Sequence, residues 1–151
     1  MSSFRLEIAA LVAESALALD EGDFARFLAL TAPGFRYRVL VASAELRREV
    51  AWLDQTREGL IALFSTLNEH LLRPGRLHRF AVPARIEPSG AGWRVTSTLL
   101  VHTTDPHGVT KPLAVGRYED TVIEENGVLR LAARDVRLDT RDIGIGSHVP
   151  F

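Results

Sequence analysis

The chain contains no cysteine. That absence excludes a disulfide scaffold, a thiolate metal site, a cysteine nucleophile and a cysteine-ligated iron–sulfur cluster. The chain also lacks an excess of either charge, since 18 Lys and Arg face 19 Asp and Glu, for a formal net charge of -1. A global basic field that would hold nucleic acid is therefore excluded. No run reaches the ~18 uncharged apolar residues of a membrane span. Glu7 and Glu14 interrupt the apolar start, so no secretory leader is expected either. These absences lead us to expect a cytoplasmic protein with neither nucleic acid nor membrane as partner.

What is present suits one ordinary domain. The chain has 151 residues, 46% hydrophobic and 25% charged, the usual balance of a soluble globular protein. A chain of this length buries roughly 70% of its unfolded surface and needs no staples. We read residues 1–151 as one domain, with 140–151 as a C-terminal tail.

Phe4, Ile8, Leu11, Val12 and Leu19 recur at helical spacing, and alanines widen the apolar face. The spacing predicts a helix over Ser3–Leu19, buried on more than one side. Asp20-Glu21-Gly22-Asp23 breaks the pattern, with Gly22 suited to a helix end and Asp23 to an N-cap. A short helix with Phe24, Phe27 and Leu28 on one face follows, then a strand over Phe35–Val41. Ser43–Asp54 fits either a helix or an ordered loop. Leu60, Leu63, Phe64, Leu67 and Leu71 predict a helix over Thr56–Leu72, stopped by Pro74-Gly75.

The second half reads as four strands, Leu77–Ile86, Trp93–Thr103, Thr110–Ile123 and Val128–Leu138. Pro88-Ser89-Gly90, Asp105-Pro106-His107-Gly108 and Glu125-Asn126-Gly127 separate them. Gaps this short imply antiparallel hairpins, because a parallel crossover needs about a dozen residues. Helices followed by a meander give an α+β domain. Both layers bury an apolar face most economically if a curved antiparallel sheet, mixed at its edge, wraps the helices as a cone with a cavity.

That order resembles the nuclear transport factor 2-like (SnoaL-like) superfamily. "LALDEGDFARFLALTAPGFRYRV" is similar to its opening of helix, acidic corner, second helix and strand. Three further stretches resemble the small (β) subunit of Rieske-type aromatic-ring-hydroxylating dioxygenases. They are Trp52-Leu53-Asp54 with the helix "TREGLIALFSTL", the run Pro74–Phe80, and "VGRYEDTVIEENGVLRLAARDVRLD" from Val115 to Asp139. The ending "TRDIGIGSHVPF" departs from that subunit's usual hydrophobic close.

The resemblance implies a non-catalytic subunit that supports and assembles a catalytic α subunit in aromatic compound catabolism. It also implies that the Rieske cluster and the iron belong to that partner, with no cofactor, metal or catalytic residue in this chain. Alone, the chain is expected to form a homo-oligomer, either dimer or trimer. The alternative is a stand-alone isomerase or dehydratase, or a binding protein, holding a small apolar molecule in the cone. Tyr37, Trp52, Asp54, His78, His102 and Arg117 are the candidates to line that cavity, where burial would raise a carboxyl pKa toward neutral. His78 equally suits a surface position beside Arg76 and Arg79, and Tyr37 and Trp52 equally suit core packing. His102, Asp105 and His107 flank one turn and also read as plain turn chemistry.

Arg117, Glu119, Arg137, Asp139 and Arg141 alternate with apolar residues near the end of the chain. They fit either a solvated face with cross-strand pairs or a subunit interface set by arginine forks. Ile143, Ile145, Val149 and Phe151 give the tail four large apolar side chains. The tail is expected to pack on its own sheet or a neighbouring subunit, with Phe151 a candidate interface residue.

Overall fold

The computed structural model describes residues 2–69, 76–142 and Phe151. The elements run α1 (Ser2–Asp20), α2 (Phe24–Ala29), β1 (Thr31–Ser43), β2 (Arg48–Thr56), α3 (Arg57–Glu69), β3 (Arg76–Ser89), β4 (Gly92–Thr104), β5 (Thr110–Glu125) and β6 (Val128–Leu138).

In α1 the buried side chains include Ile8, Leu11, Val12, Ser15, Ala16 and Leu19, a single stripe at helical spacing. Leu6 and Leu17 stay exposed, so α1 is buried on one side and not on several. Its wide apolar surface reflects alanine content more than burial. Gly22 takes φ +69, a left-handed conformation that glycine adopts without steric cost. The Asp23 carboxylate then accepts the Arg26 N–H at 3.1 Å and caps α2. The Thr56 hydroxyl accepts the Gly59 N–H at 3.1 Å and starts α3 in the same way. Phe24 of α2 stacks on Phe64 of α3 with ring centroids 4.2 Å apart. The predicted stop at Pro74-Gly75 lies outside the described residues.

Six strands form one sheet in the order β2-β1-β6-β5-β4-β3. The meander β3 to β6 is antiparallel, as the short turns require, and β2 pairs antiparallel with β1. Asn126 and Gly127, at φ 53 and 77, make the tight β5–β6 turn. One feature differs from expectation. The ambiguous segment is the edge strand β2, which β1 recruits through pairs such as Tyr37 with Gln55. The parallel pair is β1–β6, one strand in from the edge, because the last strand returns beside the first. Register shifts in β2, β3, β5 and β6 mark bulges that bend the strands around the helices. The core lies between α1, α2, α3 and the inner sheet face, with Phe27, Phe35, Leu60, Val95, Val122 and Leu131 almost fully buried.

Candidate functional site

Successive residues of a strand point to opposite faces, so the sheet carries two polar rows of different character. The inner row is Tyr37–Arg134–Asp120, and the outer row is Arg38–Asp135–Glu119, one residue further along β1 and β6 and one back along β5.

The inner row is wholly buried. The Arg134 guanidinium donates to both Asp120 carboxylate oxygens, at 2.7 and 3.0 Å, and to the Ser15 hydroxyl of α1 at 2.8 Å. Its carbon sits 3.8 Å from the centroid of the Tyr118 ring. Burial works against the Arg134 charge, but the adjacent Asp120 carboxylate outweighs it and raises the pKa, so the guanidinium stays charged. Tyr37 donates its hydroxyl to the Phe151 carbonyl oxygen at 2.9 Å, deep inside the cone. Burial pushes the phenol pKa of Tyr37 and of Tyr118 upward. A second pair closes the far side, where Arg79 of β3 donates its backbone N–H and its guanidinium, the latter at 2.7 Å, to the Asp20 carboxylate of α1.

The outer row is a ladder of ion pairs. Arg36 makes a two-pronged contact with Asp54, at 2.9 and 2.6 Å, and Arg38 does the same with Asp135, at 2.8 and 2.7 Å. Arg137 bridges Glu119, at 2.8 Å, and Glu49 of β2, while Arg117 reaches Glu119 at 3.4 Å. The hydrogen bond from Arg36 holds the Asp54 carboxyl below its ordinary pKa.

The cavity candidates separate. Tyr37 faces inward. Trp52 and Asp54 do not, because both lie exposed on the edge strand β2. His78 and His102 are cross-strand partners on the outer face, a correction that follows from Arg79 taking the inward place beside His78. With Phe80, Thr104 and Thr110 they line an open cleft of about 350 Å³. Phe80 meets His102 edge-on at 5.5 Å, and the buried His102 Nδ1 has no hydrogen-bond partner among the described residues. Asp105 accepts the backbone N–H groups of His107 and Val109 at 2.9 Å and so builds its own turn. No three metal-ligating side chains converge among the described residues.

The interface candidates separate too. Arg117, Glu119 and Arg137 pair within the chain, which also takes Arg117 off the cavity. Asp139 and Arg141 line a cleft of about 530 Å³ with Arg47 and Arg48, where β1 turns into β2. Phe151 is buried in this chain's own core, 3% exposed, so it offers no surface to a partner. The other apolar tail residues, Ile143, Ile145 and Val149, lie outside the described residues.

Reading the residues one by one missed Tyr118, Asp120 and Arg134. Parity was the available signal, since Arg134 shares the face of Val136 and Leu138, and Asp120 that of Tyr118 and Val122. Gly116 of the "Gly-Arg-Tyr-Glu-Asp" run has a similar explanation. A Cβ there would run into the Arg137 carbonyl of β6, so the close approach of β5 and β6 requires glycine.

Residues 2–135 match the family model of the SnoaL-like domain. The chain is 32% identical over 147 residues to the β subunit of 2-aminobenzenesulfonate 2,3-dioxygenase from an Alcaligenes species, covering 97% of this chain and 98% of that one. It is 29% identical over 143 residues to the hydroxylase β subunit of methanesulfonate monooxygenase from Methylosulfonomonas methylovora, covering 88% of this chain and 79% of that one. A crystal structure described as the β subunit of an aromatic-ring-hydroxylating dioxygenase from Novosphingobium aromaticivorans superposes with a TM-score of 0.81 over 100% of both chains. At 18% identity, that likeness concerns the fold. By sequence match over almost its whole length, and by a fold that agrees, the chain belongs to the SnoaL-like family and, within it, to the β subunits of ring-hydroxylating and related oxygenases.

Proposed function

We propose that this chain is the small subunit of a ring-hydroxylating or related oxygenase, that it performs no chemistry itself, and that it holds a catalytic α subunit in its assembly. The observation that carries this reading is the near-complete match to a dioxygenase β subunit. The interior supports it. A stand-alone isomerase would keep the cone open around its acid and base. Here the Phe151 side chain, the Arg134–Asp120 pair and the Tyr37–Phe151 hydrogen bond occupy the space.

The residues present do not fit the metal centres of such an oxygenase. A Rieske cluster takes two Cys and two His, and the chain has no Cys. A mononuclear iron takes two His and a carboxylate, a grouping not found among the described residues. We therefore assign both centres to the α subunit. We also place the assembly in the cytoplasm, consistent with the lack of any helix, among the described residues, long and apolar enough to cross a membrane. The names of both curated relatives contain a sulfonate substrate, which makes organosulfonates the first class to assay.

The test is co-expression with the products of its genomic neighbours, followed by native mass spectrometry, iron analysis and turnover of 2-aminobenzenesulfonate and methanesulfonate. A mixed complex with its iron in the large subunit is expected. A metal-free homo-oligomer that ignores the large subunit, and converts a small molecule unaided, would overturn the reading.

A further inference from the structure

A surface helix normally shows one apolar stripe, turned to the core, and a polar face turned to water. In α1 both faces are apolar and only one is covered. Ile8, Leu11, Val12 and Leu19 are buried, and on the far side Leu6, Ala10, Ala13 and Leu17 face solvent. At 100° per residue these four lie within about 60° of arc, and at 1.5 Å per residue they run for about 16 Å along the axis. Leu6 is 72% exposed and Leu17 50%. Their alternating spacing, four residues then three then four, is that of a helix-pairing seam. The leucines supply apolar area at both ends. The alanines between them let a second helix axis come in at the near end of the usual range of about 8–10 Å.

The borders of this stripe differ. One carries Glu7, Glu14 and Glu21, the last still bonded through its N–H to the Leu17 carbonyl at 2.9 Å. Arg26 of α2 holds Glu14, while Glu7 and Glu21 make no ion pair among the described residues. Beneath this border runs a cleft of about 400 Å³, lined in part by Glu7, Ala10, Glu14 and Val128, in which Arg26 is the only cation. Arg5 turns the other way, to the Ile86 carbonyl of β3 at 3.4 Å. Carboxylates therefore outnumber cations along this border, three to one.

We propose that this face of α1 docks a helix of the catalytic subunit that carries an apolar stripe bordered by Lys or Arg. The proposal rests on the subunit reading above and names the surface and chemistry of the contact. Shape and charge together select the occupant. A straight apolar stripe of three turns fits the matching stripe of another helix, and the acidic border is met by cations. No helix of a second copy supplies them. Among the described residues the helical cations of this chain are already bonded, Arg5 to Ile86, Arg26 to Glu14, and Arg57 to Thr31 and Leu28. Antiparallel pairing of α1 with its own copy would also set the two acidic borders side by side.

The test measures association with the catalytic subunit, obtained by co-expression with the products of the genomic neighbours, at 50 and 300 mM salt. Four forms are compared: wild type, L6Q/L17Q, E7K/E21K and the control L46Q/V109Q, which removes two exposed apolar side chains elsewhere. All changes are at exposed positions, and thermal unfolding checks that each form is intact. L6Q/L17Q should weaken association by about thirtyfold. E7K/E21K should weaken it by about tenfold at 50 mM salt and remove the salt dependence seen in the wild type, and the control should stay within about twofold. Because the chain has no cysteine, Ala13→Cys gives a unique attachment point for a photoreactive cross-linker. Its adduct should map to a helix of the catalytic subunit bordered by Lys or Arg. An unaffected L6Q/L17Q, a control weakened equally, or an adduct to a second copy of this chain would overturn the docking face and leave the subunit reading standing. An E7K/E21K form that binds like the wild type would overturn the basic occupant. Failure of the folded wild type to associate at all would instead remove the subunit reading and this occupant with it.

Discussion

Removing one member of the Arg134–Asp120 pair should be among the most damaging single changes available in this chain. Both side chains are fully buried, with two short hydrogen bonds between them and a third to Ser15. Asp120→Asn leaves the guanidinium on the Tyr118 face with no counter-charge, and Arg134→Met leaves the carboxylate alone inside the cone. Breaking a buried pair from one side costs about 3–5 kcal/mol. In a domain this size each kcal/mol moves the melting point by about 2–4 °C, so a fall of roughly 6–20 °C is expected. The double variant D120N/R134M should recover part of the loss, because no uncompensated charge remains, and a coupling energy of about 2–3 kcal/mol is expected. Urea unfolding of the four proteins completes the cycle. Single variants that lose less than about 1 kcal/mol, or losses that simply add, would refute the claim that the two charges depend on each other.

The chain has two tyrosines, both buried with raised pKa. Their stabilisation is present below the unfolded value near 10 and lost as pH rises toward the folded one. Phenolate absorbance should therefore appear only together with alkaline unfolding, and an isolated one-tyrosine step near pH 10 in the folded protein would show that an assigned environment is wrong. Gly116→Ala should push β5 from β6 and lower stability by about 2 kcal/mol or more, read by chemical unfolding; a neutral result would mean the strands separate freely there. Phe151→Ala should cost the isolated chain about 3 kcal/mol in unfolding while leaving subunit association unchanged. The opposite pattern would return Phe151 to an interface.

Much of this protein was legible in its residues because the signals are local. The acidic corner at Asp20–Asp23, the Asn126-Gly127 turn and the stripe Leu60–Phe64–Leu67 each commit a few neighbouring residues, and each is found where expected. The segment Ser43–Asp54 could not be read that way. Its side chains do not alternate clearly, and what makes it a strand is its pairing with the open edge of β1, which only the assembled sheet provides.

The site divides along the same line. By itself the sequence determined the order of elements, the family likeness, the exclusion of thiolate metal centres, and an alternation of charge and hydrophobicity near the end of the chain. Only the tertiary structure decided which phase of that alternation faces inward. It placed Arg134 and Asp120 in the core and Arg137 and Glu119 outside, and it turned His78 and His102 away from the cavity. It carried Phe151 across to Tyr37, 114 residues away in sequence. The reason is physical: a shift of one residue along a strand exchanges its two faces, and only the packing of helices on one side tells them apart.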